Sequence, residues 1–166
     1  MIWLRTLLFA LTFVGAVLVY VPRWILGPDG RAARATGPAW YGAWVLIAVG
    51  AALMCWCWHE FATRGRGTPM PLDPPRRLVV AGPYRYVRNP MYVAALLFLL
   101  GQAGLYRATS LLWYAAAFAA AVHLFVVGYE EPALRRRFGA DYDAYRAAVG
   151  RWLPRLRPYE RHAPAA

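Results

Sequence analysis

Two short runs of residues have the types to do chemistry together. The first holds Tyr84, Arg85, Arg88, Asn89 and Tyr92 and follows a Gly82-Pro83 turn; the second is the adjacent pair Glu130 and Glu131. A guanidinium clamps a carboxylate through two parallel hydrogen bonds. Paired carboxylates take an ammonium group, and tyrosine rings stack on a base or face a cation. A pocket built from both runs therefore suits a small zwitterion that also carries an aromatic base and a cation. Plainer readings stand beside this one. Asn89-Pro90 is a sound helix start in its own right. Arg85 and Arg88 also suit lipid phosphates, and either of them can simply pair with Glu130 or Glu131.

These runs lie about 40 residues apart, so the elements that carry them must bring them together. The chain has 166 residues, 60% of them hydrophobic and 16% charged, which is too apolar for a soluble protein of this length. Four stretches without charge, Thr6–Pro22, Ala35–Trp58, Asn89–Tyr106 and Ala108–Tyr129, each run for about 17 to 24 residues, enough for a helix to cross the hydrocarbon layer. The expectation is an all-α polytopic membrane protein in one domain, with about four transmembrane helices near residues 6–26, 39–60, 90–106 and 108–130. Short cytosolic or interfacial helices over 133–150 complete it. The first stretch lacks a small-x-small cleavage site and reads as a retained span.

The positive residues set the orientation. All 19 basic residues are Arg, and the net charge is +11. They crowd the segment between spans two and three and the tail after span four, which puts both segments, and both termini, in the cytosol. Arg23, Arg31 and Arg34 in the first connection conflict with this and are outvoted. Because the charges flank membrane spans, anionic lipid is the expected partner and nucleic acid is not. Arg without Lys, beside heavy Ala usage, points to a bacterial inner membrane. Arg107 stands almost alone between spans three and four, so these form a tight antiparallel hairpin. The entry of span three, with Arg88, then adjoins the exit of span four, with Glu130. The unpaired N–H groups that open span three also favour an anion. A carboxylate, an ammonium, an adenine and a sulfonium together describe S-adenosylmethionine, which fits such a pocket.

Local signals refine the elements. Pro69, Pro71, Pro74 and Pro75 give the second connection, from about Thr63 to Arg88, an extended path. Asn89 should cap span three. Pro132 should end or kink span four at Glu131. A short helix over Ala133–Phe138 should stop at Gly139, with Asp141 capping a helix over Tyr142–Val149. Its Tyr142, Tyr145 and Val149 share a face and read as an aromatic stripe lying in the membrane interface. Cys55 and Cys57 sit on nearly opposite faces of span two and suit neither a disulfide nor a metal, and no metal is expected. His59 and Glu60 mark the end of span two. His123 lies deeper, seven residues before Glu130, and serves either an interhelical hydrogen bond or function.

Both runs, with Glu130-Glu131-Pro132-Ala133-Leu134 and the tail from Phe138-Gly139 to Trp152-Leu153-Pro154, resemble the isoprenylcysteine carboxyl methyltransferase and phospholipid methyltransferase superfamily. The resemblance covers about the C-terminal 60% of the chain. It implies a helical membrane methyltransferase without a Rossmann domain, and the absence of Gly-x-Gly-x-x-Gly agrees. It further implies cofactor contacts from Arg88, Asn89, Tyr92, Glu130 and Glu131, to which the chemistry of the residues adds Tyr84 and Arg85. From the tail it implies Arg151, which with Glu130 would form the catalytic pair, Arg151 touching the polar end of a lipophilic acceptor. Asn89 departs from the family's usual His and cannot titrate near neutrality. Two other classes compete. A membrane reductase using NADPH would favour the Arg clusters over the glutamates, and a non-enzymatic membrane protein would need neither.

Overall fold

The computed structural model describes residues 12, 14–32, 34–65 and 78–160. The described residues are helical or irregular, with no strand among them. The Pro-rich path of residues 69–75 and the start of the expected first span lie outside them. A π-helical turn, Ala16–Tyr20, leads into α1, Val21–Ala32. Helix α2 runs Pro38–Glu60 and is prolonged by a π turn, Phe61–Gly65. After a 3₁₀ turn, Gly82–Arg85, come α3, Pro90–Tyr106, and α4, Thr109–Phe125. A third π turn, Val126–Glu130, joins α4 to α5, Glu131–Phe138, and α6 spans Ala140–Ala148.

Each apolar helix begins or ends where its sequence says it must. Gly27 breaks α1 with φ +61° and ψ −174°, just past the expected end of the first span. Pro38 and Pro90 open α2 and α3, where a missing N–H costs nothing. The α3–α4 hairpin closes on Arg107, in the left-handed region at φ 50°. Its N–H reaches the Gly104 carbonyl at 3.3 Å and that of Ala108 reaches Ala103 at 3.0 Å, the paired bonds of a Schellman end.

Two helices, residues Pro38–Arg64 and Thr109–Phe138, are long and apolar enough to cross a membrane; the helices Ala16–Pro28 and Pro90–Tyr106 are shorter and also apolar. Their outward faces carry Trp40, Trp44, Trp56, Leu112, Trp113 and Leu124 uncovered, unlike the core helix of a soluble protein. The most extensive packing is between α2 and α3. A Cβ built on Gly50 would lie 2.7 Å from the Ala94 carbonyl, and one on Gly101 2.8 Å from that of Ala43. The two backbones therefore touch, the arrangement that small residues permit between helices in lipid.

Pro22 has a consequence for the first helix. It has no N–H to give the Leu18 carbonyl, and the Val21 N–H reaches back five residues to Ala16, by-passing Val17. Both orphaned carbonyls are taken from neighbouring helices. Gln102 Nε2 donates to Leu18 O at 2.7 Å, and the Tyr114 hydroxyl donates to Val17 O at 2.9 Å. At the same end of the bundle as the hairpin turn, Ala35 N–H bonds Leu105 O at 2.7 Å. The first connection and Arg107 thus share one end, and the candidate residues occupy the other.

Three expectations are corrected. Of the two expected outcomes at Glu131, an end or a kink, the end is overturned: Glu131 is helical at φ −62° and ψ −44°, and the helix runs on to Phe138. The π turn before Pro132 widens the helix, and Glu131 N–H bonds Val126 O five residues back, so the ring is admitted without a stop. Gly139, at φ +52°, and not Asp141, precedes the last helix, and Asp141 falls in its first turn. The Tyr142, Tyr145 and Val149 stripe does not face the interface. It is buried against Leu78, Val80, Leu134, Phe138 and Tyr159, where it cements the segment before α3 to the C-terminal helices.

Candidate functional site

The hairpin does bring the two runs together. Arg88 precedes α3 with its N–H bonded to Gly150 O at 2.9 Å, which aims its side chain at the start of α5. There Arg88 Nη1 donates to Glu131 Oε1 at 2.8 Å and to the Tyr142 hydroxyl at 3.3 Å. Arg151 approaches the same carboxylate as a fork, Nε to Oε1 at 2.6 Å and Nη2 to Oε2 at 3.0 Å. The side chains of Arg88 and Glu131 are only 10% and 9% exposed. Charge-assisted bonds in such a place are short and strong, and breaking one side of a buried pair costs about 3–5 kcal/mol. The Glu131 carboxylate also raises the Arg151 pKa above its usual value.

Glu130 is placed differently. Its Oε2 accepts the Tyr92 hydroxyl at 3.1 Å, and its other oxygen takes no hydrogen bond among the described residues. The acidic pair is therefore split, with Glu131 neutralised by two arginines and Glu130 retaining an unused acceptor. Arg88 in turn keeps its Nε buried without a partner. Asn89 starts α3 but makes no capping bond; its Nδ2 donates instead to Arg151 O at 3.2 Å, tying the tail to the site. An amide suffices for this, and no titrating group is required.

Two of the expected site residues are used elsewhere. Arg85 Nε donates to Tyr159 O at 2.9 Å and its Nη2 lies 3.6 Å from Glu160, so it holds the tail and not the Glu130-Glu131 pair. The tail runs back along this segment as a strap, with Arg155 N–H on Tyr86 O and Tyr159 N–H on Arg85 O, both at 2.9 Å. Tyr84 is a core residue beside Cys57, Val79 and Phe61, and its carbonyl accepts the Tyr145 hydroxyl at 2.6 Å. Burial pushes its phenol pKa well above the ordinary value.

Three residues around the site escape sequence reasoning. Tyr142 reads as part of a stripe, yet its hydroxyl meets Arg88. Trp152 is one residue of a tail match, yet its ring stands 6.5 Å from Tyr92 and its Nε1 donates to His123 Nδ1 at 3.1 Å. His123 therefore bonds the tail, where an interhelical bond was one of the two expected roles. Glu60 reads as an interface marker but is buried, with Trp56 Nε1 at 3.2 Å and Arg64 Nε at 2.9 Å. A Cβ on Gly82 would meet its Oε1 at 2.7 Å, so the Gly82-Pro83 turn sits directly on it. The spacing of Trp56, Glu60 and Arg64, four residues apart, was the one available signal.

The family model for phospholipid methyltransferase matches residues 39–141, which include Arg88, Tyr92, Glu130 and Glu131. Arg151, Trp152 and the first apolar helix lie beyond the match. No curated protein and no solved structure matches the chain significantly. With more than half of its length matched, and apolar helices that agree with a membrane setting, the chain belongs to the phospholipid methyltransferase family.

Proposed function

We propose that this protein transfers a methyl group from S-adenosylmethionine to a lipophilic acceptor at the cytosolic membrane face, by in-line displacement. The observation that carries the reading is the asymmetry of the acidic pair: Glu131 is locked by Arg88 and Arg151, while the preceding Glu130 keeps one carboxylate oxygen unused among the described residues. The donor and acceptor groups fit the cofactor. Glu130 offers an acceptor to its ammonium group or hydroxyls, and Arg88 has the unpartnered Nε to offer a carboxylate. When bound, S-adenosylmethionine supplies a methyl on a sulfonium whose thioether leaves as a neutral molecule.

The protein's own contribution is then orientation and exclusion of water. The Arg88–Glu131–Arg151 cluster fixes the end of the hairpin, so that Glu130 and Tyr92 are held by packing. Arg151, fixed as a fork, is the residue proposed to meet the polar end of the acceptor. A carboxylate or thiolate acceptor would need no base, whereas an amine would have to arrive deprotonated. The setting is four membrane crossings in a bacterial inner membrane with both termini inside, which sends the acceptor in sideways from lipid and the cofactor in from water.

The test is incubation of the purified full chain with methyl-labelled cofactor and a total lipid extract. Label in a lipid is the expected result. Label only in a water-soluble acceptor, or none together with thermal stabilisation by NADPH and not by S-adenosylhomocysteine, overturns the reading.

A further inference from the structure

His123 is exposed on the apolar surface of α4, and its distance from Glu130 along the helix is about 10 Å at 1.5 Å per residue. A polar ring in that position is costly unless it has work to do. Its one hydrogen-bond partner among the described residues is unusual, because the bond comes from the tail and not from a neighbouring helix. Trp152 lies next to Arg151, whose fork holds Glu131, and its indole stands between two rings, 6.1 Å from His123 and 6.5 Å from Tyr92. Tyr92 bonds Glu130. A continuous path thus leads from the Glu130 carboxylate, over Tyr92 and Trp152, to the outer surface of α4.

The chemistry of the Trp152–His123 contact fixes what that end can do. An indole N–H only donates, so Nδ1 of His123 must present its lone pair. A neutral imidazole that accepts at Nδ1 carries its proton on Nε2. That nitrogen is therefore a donor, and His123 cannot take a proton from an acceptor while the indole holds it. A donor on the lipid side of a site wants an oxygen.

Resting on the methyl-transfer reading above, we propose that Trp152 and His123 form the acceptor-side entrance of this site. His123 Nε2–H binds a hydrogen-bond-accepting oxygen of the amphipathic acceptor, a phosphate or an ester or hydroxyl oxygen of its head. Trp152 is the positioning residue that sets the tautomer and separates the entrance from Glu130. Specificity on this side is for an oxygen-bearing head group, while the methylated atom is selected deeper in the site.

The experiment titrates a total lipid extract, in mixed micelles, against wild type, His123→Leu, His123→Gln and Trp152→Phe, with labelled cofactor. S-adenosylhomocysteine binding is measured on each protein. The expected result for His123→Leu and Trp152→Phe is a three- to tenfold higher half-saturating lipid fraction, the worth of about one hydrogen bond. kcat and S-adenosylhomocysteine affinity should stay within about twofold. His123→Gln, which still accepts from the indole and donates outward, should recover most of the loss. Added phosphatidylglycerol or diacylglycerol should compete against wild type more than against His123→Leu. Competition by the first alone assigns a phosphate, and by both an ester oxygen. An active His123→Leu with an unchanged half-saturating fraction overturns the entrance and leaves the activity standing. Loss of kcat with His123→Gln as well makes the residue structural and also overturns it. A wild-type protein that labels no lipid overturns both readings together.

Discussion

Glu131 accepts three hydrogen bonds from two guanidinium groups, whereas Glu130 accepts one from a phenol. Neutral substitutions at these neighbours should therefore fail in different ways. In Glu131→Gln two arginines lose their counter-charge at the end of the hairpin, one of them almost buried. The expected cost is about 3–5 kcal/mol, a fall in unfolding midpoint on the order of 10 °C in detergent. Glu130→Gln keeps the Tyr92 hydroxyl bonded and leaves the arginines alone. Its midpoint should move by no more than about 2–4 °C, the worth of roughly 1 kcal/mol. Affinity for S-adenosylhomocysteine, read by calorimetry, should fall at least tenfold, because the lost group is a charge at the ligand. Equal loss of stability in both variants would show that the two carboxylates share one structural duty, and would remove the support for Glu130 as a ligand group.

Helices in this bundle are joined by backbone groups that their own sequence leaves unpaired. Pro22 leaves Leu18 O without a donor, and buried Gln102 supplies one from α3 at 2.7 Å. An unsatisfied carbonyl in such a place costs about 1–3 kcal/mol, so Gln102→Leu should lower stability by that amount. In a Pro22→Ala background a backbone N–H is restored one turn after Leu18, and the same Gln102→Leu change should cost less than half as much. Additive losses in thermal unfolding of the four proteins would contradict this account. The bond also marks the limit of what the sequence discloses. Apolar length, Pro90 and the near-absent α3–α4 link were all readable, because each acts locally. So was the meeting of Arg88 with Glu131, which follows from the hairpin alone. The destination of Gln102, the inward turn of the Tyr142 stripe and the capture of Arg85 by Tyr159 were not readable, since each depends on which distant element lies opposite. The π turn Val126–Glu130 was not readable for another reason: the proline rule describes α geometry, and the chain met Pro132 with a wider turn.

On the scale of the whole molecule, the charges are divided between the two ends of a helical bundle. Ala35 bonded to Leu105 puts Arg34 and the hairpin residue Arg107 at one end. Arg64 at the end of α2, Arg88 before α3 and Arg135, Arg136 and Arg137 on α5 belong to the other. The richer end is the one that holds the candidate site, so the positive-inside tendency and entry of the proposed cofactor from water ask for the same orientation. On the proposed topology the weaker positive set, which opposed it in the sequence, lies at the far end with Arg107 and is outnumbered. Arg107→Cys and Arg157→Cys variants in sealed inside-out vesicles test it. A membrane-impermeant maleimide should label position 157 and reach position 107 only after detergent is added, while the native Cys55 and Cys57 lie within α2. Labelling of both positions from one side would mean that the bundle does not cross the membrane as these apolar lengths require, and labelling of 107 alone would turn the site toward the side that lacks the cofactor.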